Sequence, residues 1–147
     1  MPDHEQLPFL DEHRERFDVP ADVAWTALVG ILRRRMGGAG SLARVLGCDP
    51  VEGTPGFSGR VGETLPGFRV VDSEPGRRLA LRGQHRFARY ALTFLIDGGE
   101  LCARSEAEFP GVHGRLYRAL LMGTGGHRLV TRGLLRQVAR AAGRAPA

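Results

Sequence analysis

"RALLMGTGGHRLVTRGLL", residues 118–135, is the stretch on which the fold turns. Leucines and arginines recur in it at helical spacing, yet Gly123, Gly125, Gly126 and Gly133 sit among them. A mid-helix glycine costs about 1 kcal/mol relative to alanine. The segment is therefore either a notched helix or two helices joined by a phosphate-cradling loop at "GTGG". Reading outward favours one helix over His113–Ala142. Leu116, Leu120, Gly123, His127, Val130, Leu134 and Val138 form one stripe that crosses the glycine cluster in phase. Arg128, Arg132, Arg136, Arg140 and Arg144 repeat every fourth residue on the opposite side. A loop would scramble that register, whereas a kink at Gly125–Gly126 would not. A P-loop also needs a preceding strand and a Lys-Ser/Thr pair, and the chain has no lysine. "GTGGHR" likewise lacks the strand and the third glycine of a dinucleotide fingerprint.

Upstream of this helix the period changes to two. Glycine or proline punctuation divides strands near 57–62, 68–74, 78–84, 86–96 and 100–108, with hairpin-type turns at "EPGRR" (74–78) and "IDGGE" (96–100). Further upstream, "EHRERFDV" alternates as a strand, with Phe17 and Val19 on one face. "PADVAWTALVGILRRR" is an amphipathic helix whose Val23, Ala24, Ala27, Leu28 and Ile31 share a face, with Pro20 in its first turn. "GGAGSLARVLG" reads as a short second helix with Ser41 as its cap. Strand, two helices, an antiparallel run and a long helix make an α+β order, the helix lying across one face of a curved sheet. Residues 1–11 are expected as a loose leader, 12–142 as a single domain and 143–147 as a tail.

The composition limits the function classes. In 147 residues, 42% hydrophobic and 25% charged is ordinary for a globular chain. No segment approaches the roughly 20 apolar residues of a membrane span. The N-terminal "MPDHEQLPFLDEH" lacks an apolar signal core, so a cytoplasmic protein is the expectation. Cys48 and Cys102 are too few for a disulfide framework or a zinc set, and no redox role is assigned to them. The pI of about 10.5 is regional. All 21 basic residues are arginine, and the chain contains no asparagine, as a GC-rich genome would give. Seven arginines and no acid follow His113, which leaves 14 arginines against 16 acids elsewhere.

Three stretches carry a resemblance to a known family. "FDVPADVAWTAL" (17–28), "FRVVDSEPGRRLALRG" (68–83) and "YALTFLIDGGELCARSEAEF" (90–109), the last followed by a long helix, are similar to the START-like superfamily. Its members are also called SRPBCC or polyketide cyclase/dehydratase-like proteins. The likeness spans residues 12–142 and rests on element order, with no catalytic motif. It implies a helix-grip fold: an antiparallel sheet of about six or seven strands around the C-terminal helix, with two short helices after strand 1 and a cavity between sheet and helix. Such proteins commonly bind lipids, polyketides, hormones or other apolar molecules, and some are cyclases or dehydratases. The family offers no universal catalytic residue to transfer.

Alternation supplies the residues that would meet a ligand. Tyr90, Leu92 and Phe94 share a face, as do Ala103, Ser105 and Ala107, and His85 ends the inward set of Leu79, Leu81 and Gly83. The small residues on 103–107 leave space that Val or Ile would fill. Above them the helix presents Leu120, Gly123 and His127, with Thr124 at the border. The competing account fills the gap with Phe94, Tyr90 and Trp25 and has His127 bonding a strand carbonyl. Tyr90, His85, Ser105 and His127 are the expected polar groups. A Tyr–His pair there would orient a ligand hydroxyl or carbonyl, or serve as acid and base in a dehydration or cyclisation. No nucleophile with an adjacent base is readable, so the catalytic residues stay unassigned. His113 and His127 lie fourteen apart with no HxxxH or HxH spacing, and neither metal nor cofactor is expected. His13 and Glu15 alternate with Phe17 at a rim, and Trp25 anchors the first helix with Leu28, Val29 and Leu32.

Three functions stay open on this reading. The first is binding of a small, largely apolar molecule. The second is a cyclase/dehydratase-type lyase using Tyr/His groups. The third is binding of RNA or an anionic membrane surface by the arginine face; against it, the face lacks interleaved aromatics and no nucleic-acid motif appears. Met122, Gly126, Leu129 and Gly133 flank the helix as a packing face for a homodimer.

Overall fold

The antiparallel run expected from the glycine-punctuated, period-two segment forms as one sheet. The computed structural model describes residues 7–123 and 126–144, with the side chains at 120–129 and 144 outside that description. The elements are β1 (Phe9–Arg16), α1 (Ala21–Gly37), α2 (Gly40–Leu46), β2 (Thr64–Leu65), β3 (Phe68–Glu74), β4 (Arg78–His85), β5 (Ala88–Asp97), β6 (Glu100–Glu108), α3 (Gly111–Gly123) and α4 (Gly126–Arg144). Six strands lie in the order β1-β6-β5-β4-β3-β2, every neighbouring pair antiparallel. The turns have the chemistry their geometry demands. Gly98 and Gly99 take φ of 57° and 76° between β5 and β6, as a two-residue hairpin loop with the strand twist requires. Curved around helices on one face, this is a helix-grip fold.

The ladder register sorts the inward side chains into rows that cross the sheet. One row runs Leu79–Phe94–Ala103–His13, the next Leu81–Leu92–Ser105–Asp11, and the third Gly83–Tyr90–Ala107. Helices close over the first row. On α1, Ala24, Leu28, Ile31 and Leu32 are buried, and on α4 the buried residues are Thr131, Leu134, Leu135, Val138 and Ala142. Leu79 and Ala103 are then 0% exposed and Phe94 1%. A fully buried side chain of this size contributes about 1.5–3 kcal/mol, so this row is a main source of stability.

Several sequence expectations change. The stripe on the C-terminal helix is displaced: Leu134 and Val138 face inward, but Leu116 and Val130 are exposed at 61% and 65%. Among the described side chains the buried face of α4 instead starts at Thr131, because this helix packs against α1 as well as against β1 and β6 of the sheet. Arg132, Arg136 and Arg140 are exposed, as their fourfold spacing predicts. Whether the glycine cluster interrupts the helix turns on Thr124 and Gly125, which lie outside the described residues. The strand expected near 57–62 is a loop. Glu63 gathers it, its carboxylate accepting the Ser58 and Arg60 N–H groups and the Ser58 hydroxyl, while Gly59 and Gly62 take φ of 87° and 91°. The helix after β1 is seventeen residues long rather than short. Ala39, not Ser41, precedes the first turn of α2, which has no side-chain cap. The sheet begins at Phe9, inside the expected leader, and α4 runs on to Arg144.

One contact pins the β2–β3 hairpin to the sheet. Gly67, with φ of 86°, follows Pro66 at the tight turn, and its carbonyl lies over Gly83 where any Cβ would collide with it. The same Cβ would stand 2.8 Å from the Tyr90 ring. Gly83→Ala is therefore expected to destabilise by about 1–3 kcal/mol through forced backbone movement. Gly30, inside α1 with open space around its Cα, should behave oppositely, Gly30→Ala stabilising by roughly 0.5–1 kcal/mol. Urea denaturation of the two variants beside the parent protein checks both signs.

Candidate functional site

Beyond the closed Phe94 row the sheet and helices draw apart. The second and third rows face a cavity of about 530 Å³, within the roughly 300–1,000 Å³ of small-molecule sites. The sheet, α2 and α4 supply much of its wall, with Arg35 and Met36 of α1 and Tyr117 of α3. The sheet contributes Leu92, Ser105 and Ala107, α2 contributes Leu42, Ala43 and Leu46, and Thr131 and Leu134 come from α4. The position of α2 is set by the segment after it. Gly47 closes the helix in the left-handed conformation, Asp49 pairs with Gln84 of β4, and the Gly67 N–H donates to the Pro50 carbonyl at 2.7 Å.

The aromatic part of the wall comes from β3, β5, α3 and the β4–β5 turn region. Phe68 meets Tyr90 edge-on with centroids 5.0 Å apart. Tyr117 stacks on Phe87 at 5.6 Å and 22°, and meets the His85 ring edge-on at 5.0 Å. Gly114 makes this possible: a Cβ there would come within 2.7 Å of the Phe109 carbonyl carbon and 3.1 Å of the Phe87 oxygen. Edge-to-face and offset pairs of this kind contribute about 0.5–1.5 kcal/mol each beyond their buried area.

The polar groups are few. Tyr90 donates its hydroxyl proton to the Gly67 carbonyl at 2.7 Å, with the Cys48 sulfur 3.9 Å away. Burial first, then the neighbouring Cys48, holds this phenol well above its ordinary value. His85 Nδ1 accepts the Phe87 N–H at 3.1 Å, which leaves the proton of the neutral ring on Nε2. Burial lowers the pKa of this imidazole. Ser105 is 4% exposed, and its hydroxyl has no hydrogen-bond partner among the described residues. Cys102 lies apart on the outer face, where burial and then Glu12 push its thiol up to about 11.

Of the expected ligand-facing residues, His85, Tyr90, Leu92, Ser105 and Ala107 come together around the cavity. Phe94 and Ala103 do not; alternation put them on the correct face, but α1 and α4 close over that row and make it core. The side chains of Leu120 and His127, with Gly123 and Thr124, fall outside the described residues. The sequence reading missed α2, Cys48, Phe68, Phe109 and Tyr117. The signal for Tyr117 was present: it follows Gly114 by three, on the one face of α3 small enough to approach the sheet. Among the described residues no group of His, Cys, Asp and Glu is placed to hold a metal ion, and no helix is long and apolar enough to cross a membrane.

No family model and no curated protein matches the chain. Among solved structures it is similar to the crystal structure of MLL2253 from Mesorhizobium loti, with a TM-score of 0.57 at 13% identity over 93% of this chain and 98% of that one. Mll3558 from Rhizobium loti gives 0.56 at 16% identity over 94% and 98%. CV1439 from Chromobacterium violaceum gives 0.55 at 15% identity over 90% and 96%. The likeness is one of fold, running nearly end to end in each chain.

The His85 environment predicts a pH dependence. Its folded pKa lies below the ordinary 6.5, so the unfolded chain takes up the proton first as pH falls. Its contribution to stability is complete above about 6.5 and is lost as pH drops through the lowered folded value. His85→Asn, whose Oδ1 can still accept the Phe87 N–H, should flatten this part of the curve. Thermal unfolding between pH 5 and 8 reads the difference, each pH being roughly matched in ionic strength.

Proposed function

We propose that the protein binds a small, largely apolar molecule in the cavity between the sheet, α2, α3 and α4. The observation that carries this reading is the cavity itself: about 530 Å³ walled by aliphatic and aromatic side chains beside a fully packed core. Interiors fill to crystal-like density when nothing prevents it, and an apolar chamber of this size is what a hydrophobic guest requires. The element order and the helix-grip architecture also support membership of the START-like superfamily, which the sequence resembles.

Binding without chemistry is the form of the proposal. An acid–base pair of Tyr90 and His85 would need a phenol free to give or take a proton. The Tyr90 proton is committed to Gly67, and burial holds the phenol in its neutral form. The polyanion reading has less behind it. Arg132 directs its Nε toward His13 on β1 at 3.4 Å, and Arg140 directs its own toward the Arg136 carbonyl, so the row is partly engaged within the chain.

Ala107→Trp places an indole where the third row leaves space. The variant should keep its circular dichroism spectrum and lose at least about tenfold in affinity for the neutral fluorophore N-phenyl-1-naphthylamine. Native mass spectrometry of the protein from its source should show a mass excess that denaturation removes. Unchanged fluorophore affinity in Ala107→Trp would overturn the cavity reading.

A further inference from the structure

Ser105 is the point at which the cavity wall departs from ordinary packing. Across the ladders it faces Leu92 on one side and Asp11 on the other, and the rows on either side offer Ala103 and Ala107. Alanine at 105 would serve that surface equally well. The hydroxyl is instead buried with less than 1 Å² exposed and without a partner among the described residues. An unmet buried hydroxyl costs about 1–3 kcal/mol, and native chains leave few of them without a reason. A serine hydroxyl turns about a single torsion, so an atom arriving in the cavity can meet it with no change in the backbone.

We propose that Ser105 is the polar anchor of the site and that the ligand it selects is a neutral ring-bearing molecule with one hydroxyl or carbonyl group. This rests on the cavity-binding reading and specifies it. The ring system is placed by the aromatic wall: Phe68 and Tyr90 on one side, and Tyr117, backed by Phe87, at the α3 end. The neutrality of the polar group follows from the charges around Ser105. Asp11 stands directly opposite it across the β1–β6 ladder, on the same face of the sheet, its carboxylate paired with His13 at 3.1 Å; Glu106, next in the strand, alternates to the other face and pairs with Arg104 at 3.8 Å. Among the described lining residues the cation is Arg35, carried on α1 and exposed. An incoming carboxylate would meet the Asp11 carboxylate across the ladder from the anchor, with Arg35 on another wall. Like charges in a partly buried site repel strongly, whereas a hydroxyl or carbonyl meets the serine without that penalty.

The experiment displaces N-phenyl-1-naphthylamine from the wild-type protein, Ser105→Ala and Ala107→Trp with naphthalene, 2-naphthol and 2-naphthoate at pH 7. The wild type should bind 2-naphthol about 3- to 10-fold more tightly than naphthalene, and 2-naphthoate more weakly than either. Ser105→Ala should erase the preference for the alcohol while holding naphthalene as well as before. Its melting temperature without ligand should stay level or rise, since the substitution removes an unmet polar group. A wild type indifferent between naphthalene and 2-naphthol, or a preference that survives in Ser105→Ala, overturns the anchor and leaves the cavity standing. Tight binding of 2-naphthoate overturns the neutrality of the ligand. Fluorophore binding that Ala107→Trp leaves intact, or no fluorophore binding at all, overturns the cavity reading and the anchor with it.

Discussion

The Tyr90 hydroxyl reaching the Gly67 carbonyl is the constraint on which the rest of the site depends. Tyr90 stands at the centre of the sheet's third row, and Gly67 turns the hairpin that follows the long loop after α2. Their bond fixes that loop against the sheet, and the loop in turn carries α2 over the cavity. Two glycines make it feasible. Gly67 supplies the left-handed turn, and Gly83 leaves the room in which the carbonyl and the phenol ring lie. Once the loop is held, α2 faces the cavity with Leu42, Ala43 and Leu46.

The same sheet therefore does two jobs along its length. Where α1 and α4 press on the Phe94 row, the interior is dense and aliphatic. Where α2 and α3 stand over the next two rows, aromatic side chains line a hollow. The division follows from which helices are long enough to lie flat. Seventeen-residue α1 and nineteen-residue α4 bury a continuous face, whereas α2 spans seven residues, of which Ala43 is buried.

Much of this was legible in the sequence. Glycine pairs at 98–99 and the alternation on either side of them specified the hairpins, and small residues at 105 and 107 marked where the wall is thin. What failed did so for physical reasons. The segment 57–62 alternates like a strand, but a carboxylate six residues from its start, Glu63, collects its N–H groups and folds it back. The helical stripe was drawn for a helix lying on a sheet alone, and the third surface supplied by α1 rotates the buried face by about one residue. Phe94 and Ala103 were placed on the right side of β5 and β6, yet periodicity says which face a residue is on and nothing of which helix covers it. Tyr117 reaches the site from an element whose close approach is permitted by Gly114, and its spacing of three from that glycine was the signal left unused.

The separation between the Phe94 row and the two rows beyond it has an evolutionary consequence. Substitutions at sites more than about 7–10 Å apart with no shared partners act nearly independently. Residue 107, two rows from Ala103 and outside the core cluster, can then drift in size and polarity, changing the guest, while residues 79, 94 and 103 keep the chain folded. A lineage carrying this architecture can exchange one cargo for another without passing through an unstable ancestor, and its members would diverge first along the cavity wall.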